Sequence, residues 1–164
     1  MNTADDPSVI RAARKADAPA LAALLAELGF PAPPDVVAAR LDVVTGAGEA
    51  VLVSARGAEV LGLVTIHVMH VLHRPTPVGR ITALVVAPRA RGRGAGRALV
   101  EAAERLLAAR GCALVEVTSN RDLTDTHAFY ERLGYEVTSV RFRKLLPPAM
   151  PPPAGESTGS EEQL

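Results

Sequence analysis

The residues best suited to chemistry lie mid-chain, in the stretch ITALVVAPRARGRGAGR from Ile81 to Arg97. An apolar run, Ile81 to Ala87, stops at Pro88. A loop rich in Gly and Arg follows, Arg91-Gly92-Arg93-Gly94-Ala95-Gly96, and a helical pattern then runs from Arg97 to Arg110. Strand, glycine loop and helix in that order present free backbone N–H groups. The first N–H groups of a helix lack internal partners, and the helix dipole favours an anion there. Glycine lets the backbone turn with positive φ and lets a phosphate approach closely. The stretch therefore reads as a cradle for a diphosphate. A nucleotide-hydrolysing loop would continue Gly-Lys-Ser/Thr, whereas Gly96 is followed by Arg97 and Ala98. A dinucleotide fold would place its glycines after the first strand, with an acid about 20 residues on. These glycines are mid-chain, and no acid fills that role after the strand candidate Ala113–Thr118. A plain strand-to-helix loop and an Arg-Gly RNA-binding segment stay as alternatives.

A second stretch narrows the choice. Arg91, Gly94 and Gly96 form Arg-x-x-Gly-x-Gly, preceded by Leu84, Val86 and Pro88 as Leu-x-Val-x-Pro. This resembles the acetyl-coenzyme-A loop of the GNAT superfamily of N-acetyltransferases. Ala128 to Tyr135, AFYERLGY, resembles the GNAT segment in which a helix ends in Phe-Tyr-x-x-x-Gly-aromatic. The two motifs match in order and spacing over residues 78–146, and the element order extends the likeness to residues 8–146. The resemblance implies an α/β (α+β) fold. Its mixed central sheet would have about six to seven strands, the fourth and fifth parallel and splayed, flanked by about four helices.

By that resemblance acetyl-CoA is the acyl donor and Tyr130 the general acid. Independently, a phenol with an ordinary pKa near ~10 can donate a proton or hydrogen bond to a departing thiolate; the alternative is a ring that merely packs. Leu84, Val85 and Val86 would offer backbone to the pantetheine arm as an added strand would. The amide of Val86 would face the carbonyl oxygen as it gains charge. Arg91, Gly92, Arg93, Gly94, Ala95, Gly96 and Arg97 would hold the diphosphate. Side chains of Arg89, Arg91, Arg93 or Arg97 would add charge-assisted contacts. The family often has Asn seven residues before the tyrosine; Leu123 stands there, and Asn120 is the candidate substitute.

Attack requires a neutral amine, and a lysine-like amine has a pKa near ~10.4, so a base or water relay is needed. The strand Val78–Ala87 holds no acid. Glu116 and His67 are the candidate bases. His67, His70 and His73 do not converge as metal ligands on a regular strand, and no metal is expected. They read either as half-exposed strand residues or, for one of them, as lining the acceptor pocket.

Composition sets the frame. With 164 residues the chain suits one domain with a real core. Aromatics are only 3% and Trp is absent, so Ala, Val and Leu must build that core. Basic and acidic side chains balance at 18 each, but Glu156, Glu161 and Glu162 lie beyond residue 146 with no basic partner there, leaving the body weakly positive. That suits a phosphorylated cofactor without arguing for nucleic acid. The single Cys112 excludes an internal disulfide and reads as a small buried apolar residue. No membrane span or signal peptide is expected, so the cytoplasm is the default.

The elements follow in order. Ser8–Arg14 suggests a strand. Asp17-Ala18-Pro19 suggests an N-cap and first-turn proline, opening a helix through Leu21, Leu24, Leu25 and Leu28. A second helix opens at Pro34-Asp35 and ends at Gly46 to Gly48. These two helices would wall the acceptor site by the GNAT pattern, without a decisive charge signature. Ala50–Ala55 and Val60–Leu72 form a hairpin. Val78–Ala87 and Ala113–Thr118 flank the helix in a parallel crossover. Asp122 or Thr124 would cap a helix from Asp125 to Leu133. Glu136–Leu145 alternates as a closing strand, antiparallel to Ala113–Thr118. Residues 147–164, rich in Pro, Gly and Glu, read as a disordered tail to a domain spanning 1–146. The expected activity is acetyl transfer to a primary amine of a small molecule, with a homodimer possible. The competing function is a non-catalytic acyl-CoA-binding or regulatory module on the same fold.

Overall fold

The computed structural model describes residues 8–120 and 122–148; the predicted tail lies outside them apart from its first two residues. The chain runs β1 (Val9–Ala12), α1 (Ala18–Glu27), α2 (Pro34–Gly46), β2 (Ala50–Arg56), β3 (Glu59–Met69), β4 (Val78–Val86), α3 (Ala95–Ala109), β5 (Leu114–Val117) and α4 (Thr124–Arg132). One sheet carries the strands in the order β1-β2-β3-β4-β5. All neighbours are antiparallel except β4 and β5, which are parallel through the α3 crossover.

Apolar alternation explains the layers. On one face Val53, Ala55, Leu61, Leu63 and Val85 pack under α1 and α2, which contribute Leu21, Leu24, Val37 and Leu41. On the other, Val64, Ile66 and Ile81 meet Leu99, Val100, Ala103 and Leu107 of α3 and Tyr130 of α4. Burying each such Leu or Ile stabilises the fold by roughly 1.5–3 kcal/mol.

Two features of β4 shape the site. It pairs with β5 only over Val78–Ile81, then continues to Val86 paired with β3 alone. At that same point the register with β3 slips: Ile66 faces Ile81 and Thr65 faces Ala83, leaving Thr82 as an extra residue. A bulge of this kind bends a strand and sharpens its twist, and here it coincides with the parting of β4 from β5.

Several expectations are corrected. The sheet has five strands among the described residues, not six to seven. Glu136–Leu145 has the alternation of a strand but pairs with no strand among the described residues. Val137, Val140, Phe142 and Leu145 are left exposed, since no facing layer among the described residues covers the stretch. Asp17 occupies the N-cap position of α1 without capping it. Its carboxylate instead accepts from the Arg14 N–H at 2.7 Å and from Arg11 at 2.7 and 2.9 Å, a charge-assisted pair that outcompetes a cap bond. Leu123, rather than Asp122 or Thr124, holds the N-cap of α4.

Candidate active site

The loop expected to cradle an anion lies where β4 hands the chain to α3. After a short 3-10 turn at Pro88–Ala90, Gly92 and Gly94 adopt φ of 72° and 84°, a left-handed turn that side chains resist. Gly94 is the N-cap of α3 and supplies no side chain to cap it. The Arg91 amide is used in the turn, donating to the Pro88 carbonyl at 3.3 Å. The first bond into the helix is from Ala98 to the Gly94 carbonyl, at 3.0 Å. Between them the amides of Gly92, Arg93, Gly94, Ala95, Gly96 and Arg97 have no hydrogen-bond partner among the described residues. A row of unpaired donors on an uncapped helix end fits a diphosphate.

The arginine side chains divide. Arg89 donates to Glu59 and Arg97 to Glu101, each at 2.8 Å. Arg91 Nε donates to the Val86 carbonyl at 3.0 Å. Arg93 alone of the four has no partner among the described residues.

The free edge of β4 lies next to the cradle. The Ala87 N–H donates to Leu61 of β3 at 2.8 Å. Antiparallel alternation then turns the N–H and C=O of Val86 and Leu84 away from β3, toward the side that β5 has vacated. Val85 does the reverse: its carbonyl crowds Gly62 of β3 and its side chain is buried under α1. Leu84 therefore offers backbone to the opening and Val86 its N–H, its carbonyl being taken by Arg91, while Val85 offers none.

Tyr130 sits on the α3 side of the sheet, edge-on to Phe129 and Tyr135 with ring centroids 5.2 and 5.3 Å away. A Cβ built on Gly96 would stand 3.5 Å from the Phe129 ring and 3.6 Å from Val86. The start of α3, the end of β4 and α4 thus meet at the mouth of the opening. The Tyr130 hydroxyl makes no hydrogen bond among the described residues, and burial pushes its phenol pKa up to about 12. It keeps its proton at neutral pH. Tyr135 instead donates to Glu104 at 2.8 Å. Asn120 is turned into its own loop, its Oδ1 accepting from the Asp122 N–H at 3.3 Å.

On the opposite face, between α1, α2 and the bulge, lies a cavity of about 390 Å³. Leucines and valines form most of its wall. Arg40, Glu49, Thr65 and Thr82 supply the polar atoms, and the Thr65 and Thr82 hydroxyls are bonded at 2.6 Å. Beside it a charged row crosses the sheet. His67 pairs with Arg80 on β4, and Arg80 with Glu116 on β5. Since Val115 and Val117 pack toward α3, Glu116 points to the cavity side, a parity that the sequence left open. Its carboxylate is held by Arg80, whose Nε donates at 2.8 Å. His67 Nδ1 lies 2.9 Å from Glu49 Oε1 but out of line for a hydrogen bond, leaving the ring nitrogen buried and unbonded. Arg40, Glu49, Thr65 and Thr82 were missed from the sequence. Only Arg40 left a trace there, as a charge among the helically spaced Val37, Leu41 and Val44.

Comparison with known proteins agrees with this geometry. Residues 18–135 match the model of the Acetyltransferase (GNAT) family. The chain belongs to the GNAT family. The match runs from the start of α1 to Tyr135, just past α4, and so contains the cavity, the cradle and Tyr130. This GNAT domain is 37% identical over 91 residues to an aminoalkylphosphonate N-acetyltransferase of Salmonella typhimurium, a stretch covering 56% of this chain and 59% of that protein. The chain thus spans less than two thirds of that relative. Among solved structures, an acetyltransferase of Trypanosoma brucei superposes with a TM-score of 0.75 at 25% identity, over 85% of this chain and 99% of that one. An aminoglycoside N-acetyltransferase in complex with coenzyme A gives 0.75 at 21% identity, over 88% and 99%, a likeness of fold.

Proposed function

We propose that this GNAT domain transfers an acetyl group from acetyl-CoA to the primary amine of a small molecule, by direct attack with Tyr130 as general acid. The observation that carries it is the run of unpartnered amides, Gly92 to Arg97, continuous with the open edge of β4 at Leu84 and Val86. Acetyl-CoA supplies the activated acyl thioester. The chain supplies the rest. Amides 92–97 and Arg93 hold the diphosphate, and Leu84 and Val86 align the arm along β4. The Val86 N–H faces the acyl oxygen as that oxygen gains charge. Tyr130, kept protonated by burial, gives its proton to the departing sulfur. The amine enters from the cavity, where Glu49 attracts it as an ammonium and His67 relays its proton away. Between the two expected bases the geometry favours His67, since Glu116 is already neutralised by Arg80.

The reading is tested by titrating the protein with acetyl-CoA and measuring coenzyme A release across an amine panel. Saturable binding plus release that depends on the amine is expected. Binding without release to any amine would leave the non-catalytic module as the answer. A Gly94→Ala variant should bind acetyl-CoA about 10-fold or more weakly, because the left-handed turn costs roughly 1–2 kcal/mol in a residue with a side chain.

A further inference from the structure

The wall of the cavity contributed by α2 consists of Val37, Arg40, Leu41 and Val44. These are positions i, i+3, i+4 and i+7, the spacing of a single helix face. Three are apolar, as a buried stripe requires; the fourth is an arginine. Arg40 is exposed and has neither an ion pair nor a hydrogen bond among the described residues. Other cations near this face are engaged: Arg80 by Glu116, Arg11 by Asp17, and Lys15 by Asp42. Glu49 is the one acid on the cavity wall. It follows the C-terminal end of α2, while Arg40 is set back from that end by about 9 Å along the helix axis. Thr82 marks the end of the cavity that meets the parting of β4 from β5. Apart from these charges and the two threonines the wall is apolar, with Leu25 and Phe30 among its members.

We infer that the acceptor is a zwitterion: a primary amine taken at the Glu49 end, an aliphatic body on the leucines and valines, and an anionic group bound by Arg40. This rests on the acetyl-transfer reading and adds the class of acceptor to it. A guanidinium presents its donors as a planar fork that matches carboxylate and phosphonate oxygens in pairs, so both anions belong to the class. A polyamine does not, because its second ammonium would face Arg40. An amine with a neutral polar end leaves the fork unpaired.

Matched acceptors separate the possibilities: 6-aminohexanoate against 6-aminohexanol, 5-aminopentanoate against 5-aminopentanol, 4-aminobutylphosphonate as the phosphonate member, and cadaverine as the dication. Coenzyme A release is followed with the full-length protein. The anionic member of each pair should have the higher kcat/KM, and cadaverine the lowest. In Arg40→Ala, the KM of the anionic member should rise about 10–100-fold relative to its neutral partner, with the loss in KM rather than kcat. Arg40→Lys should restore part of it, retaining the charge without the fork. Preference for the neutral or dicationic amine, or an equal rise within each pair, would overturn the assignment while leaving acetyl transfer intact. Acetyl-CoA binding with no transfer to any member would remove both readings together.

Discussion

Tyr130 has a buried ring whose hydroxyl makes no hydrogen bond among the described residues. As the proposed acid it should matter to turnover and little to cofactor binding. Tyr130→Phe is expected to lower kcat about 100-fold or more while leaving the acetyl-CoA Kd within a factor of three or so; an unchanged kcat would remove it from the chemistry. The same burial has a thermodynamic signature. Unfolded, the phenol gives up its proton near 10.0; folded, it keeps it to about 12. The stability from burying a neutral ring is therefore full below pH 10 and declines as pH rises between those values. Urea midpoints measured from pH 9 to 12 should fall, and fall less steeply in Tyr130→Phe. The slope should flatten without vanishing, since burial and Glu104 raise the Tyr135 phenol in the same sense. At this scale the site was partly legible. The glycines and Tyr130 announce themselves because their chemistry is local. Arg40, Glu49 and Thr82 do not, because a cavity between a helix, a loop and a bulge exists only after the chain has folded.

β4 is the element on which the proposed cofactor and acceptor sides converge. Its register depends on Gly62 of β3, where an added Cβ would stand 2.9 Å from the Val85 carbonyl and 3.1 Å from Leu99. The first of those neighbours is backbone and cannot rotate aside. Gly62→Ala is expected to destabilise the fold by about 1–3 kcal/mol and to weaken acetyl-CoA binding, because the displaced segment carries the Val86 amide. Chemical denaturation and calorimetric titration check the two effects separately; a variant with native stability and affinity would show that β4 is less constrained than its contacts indicate. Element order and the parallel crossover were readable from periodicity and turn residues. The bulge at Thr82 was not, since a single extra residue leaves no mark on an apolar run. The closing strand failed for the opposite reason. Glu136–Leu145 has the right alternation, yet pairing needs a partner edge in register, which alternation alone does not supply.

For the molecule as a whole, both cores are complete by Tyr135, the last residue packed into either of them. Ending the chain at Leu146 should therefore leave the thermal midpoint and kcat/KM within error of the full-length protein, as measured by calorimetry and coenzyme A release. A marked loss in either would assign residues 147–164 a part in the domain. The arrangement of aromatic side chains has a practical result. The chain has no Trp and two Tyr, and both tyrosines belong to the cluster under α4, beside the proposed sulfur end of the donor. The intrinsic ultraviolet emission of the protein thus originates from one spot, so an unlabelled sample carries its own optical reporter of occupancy in that channel.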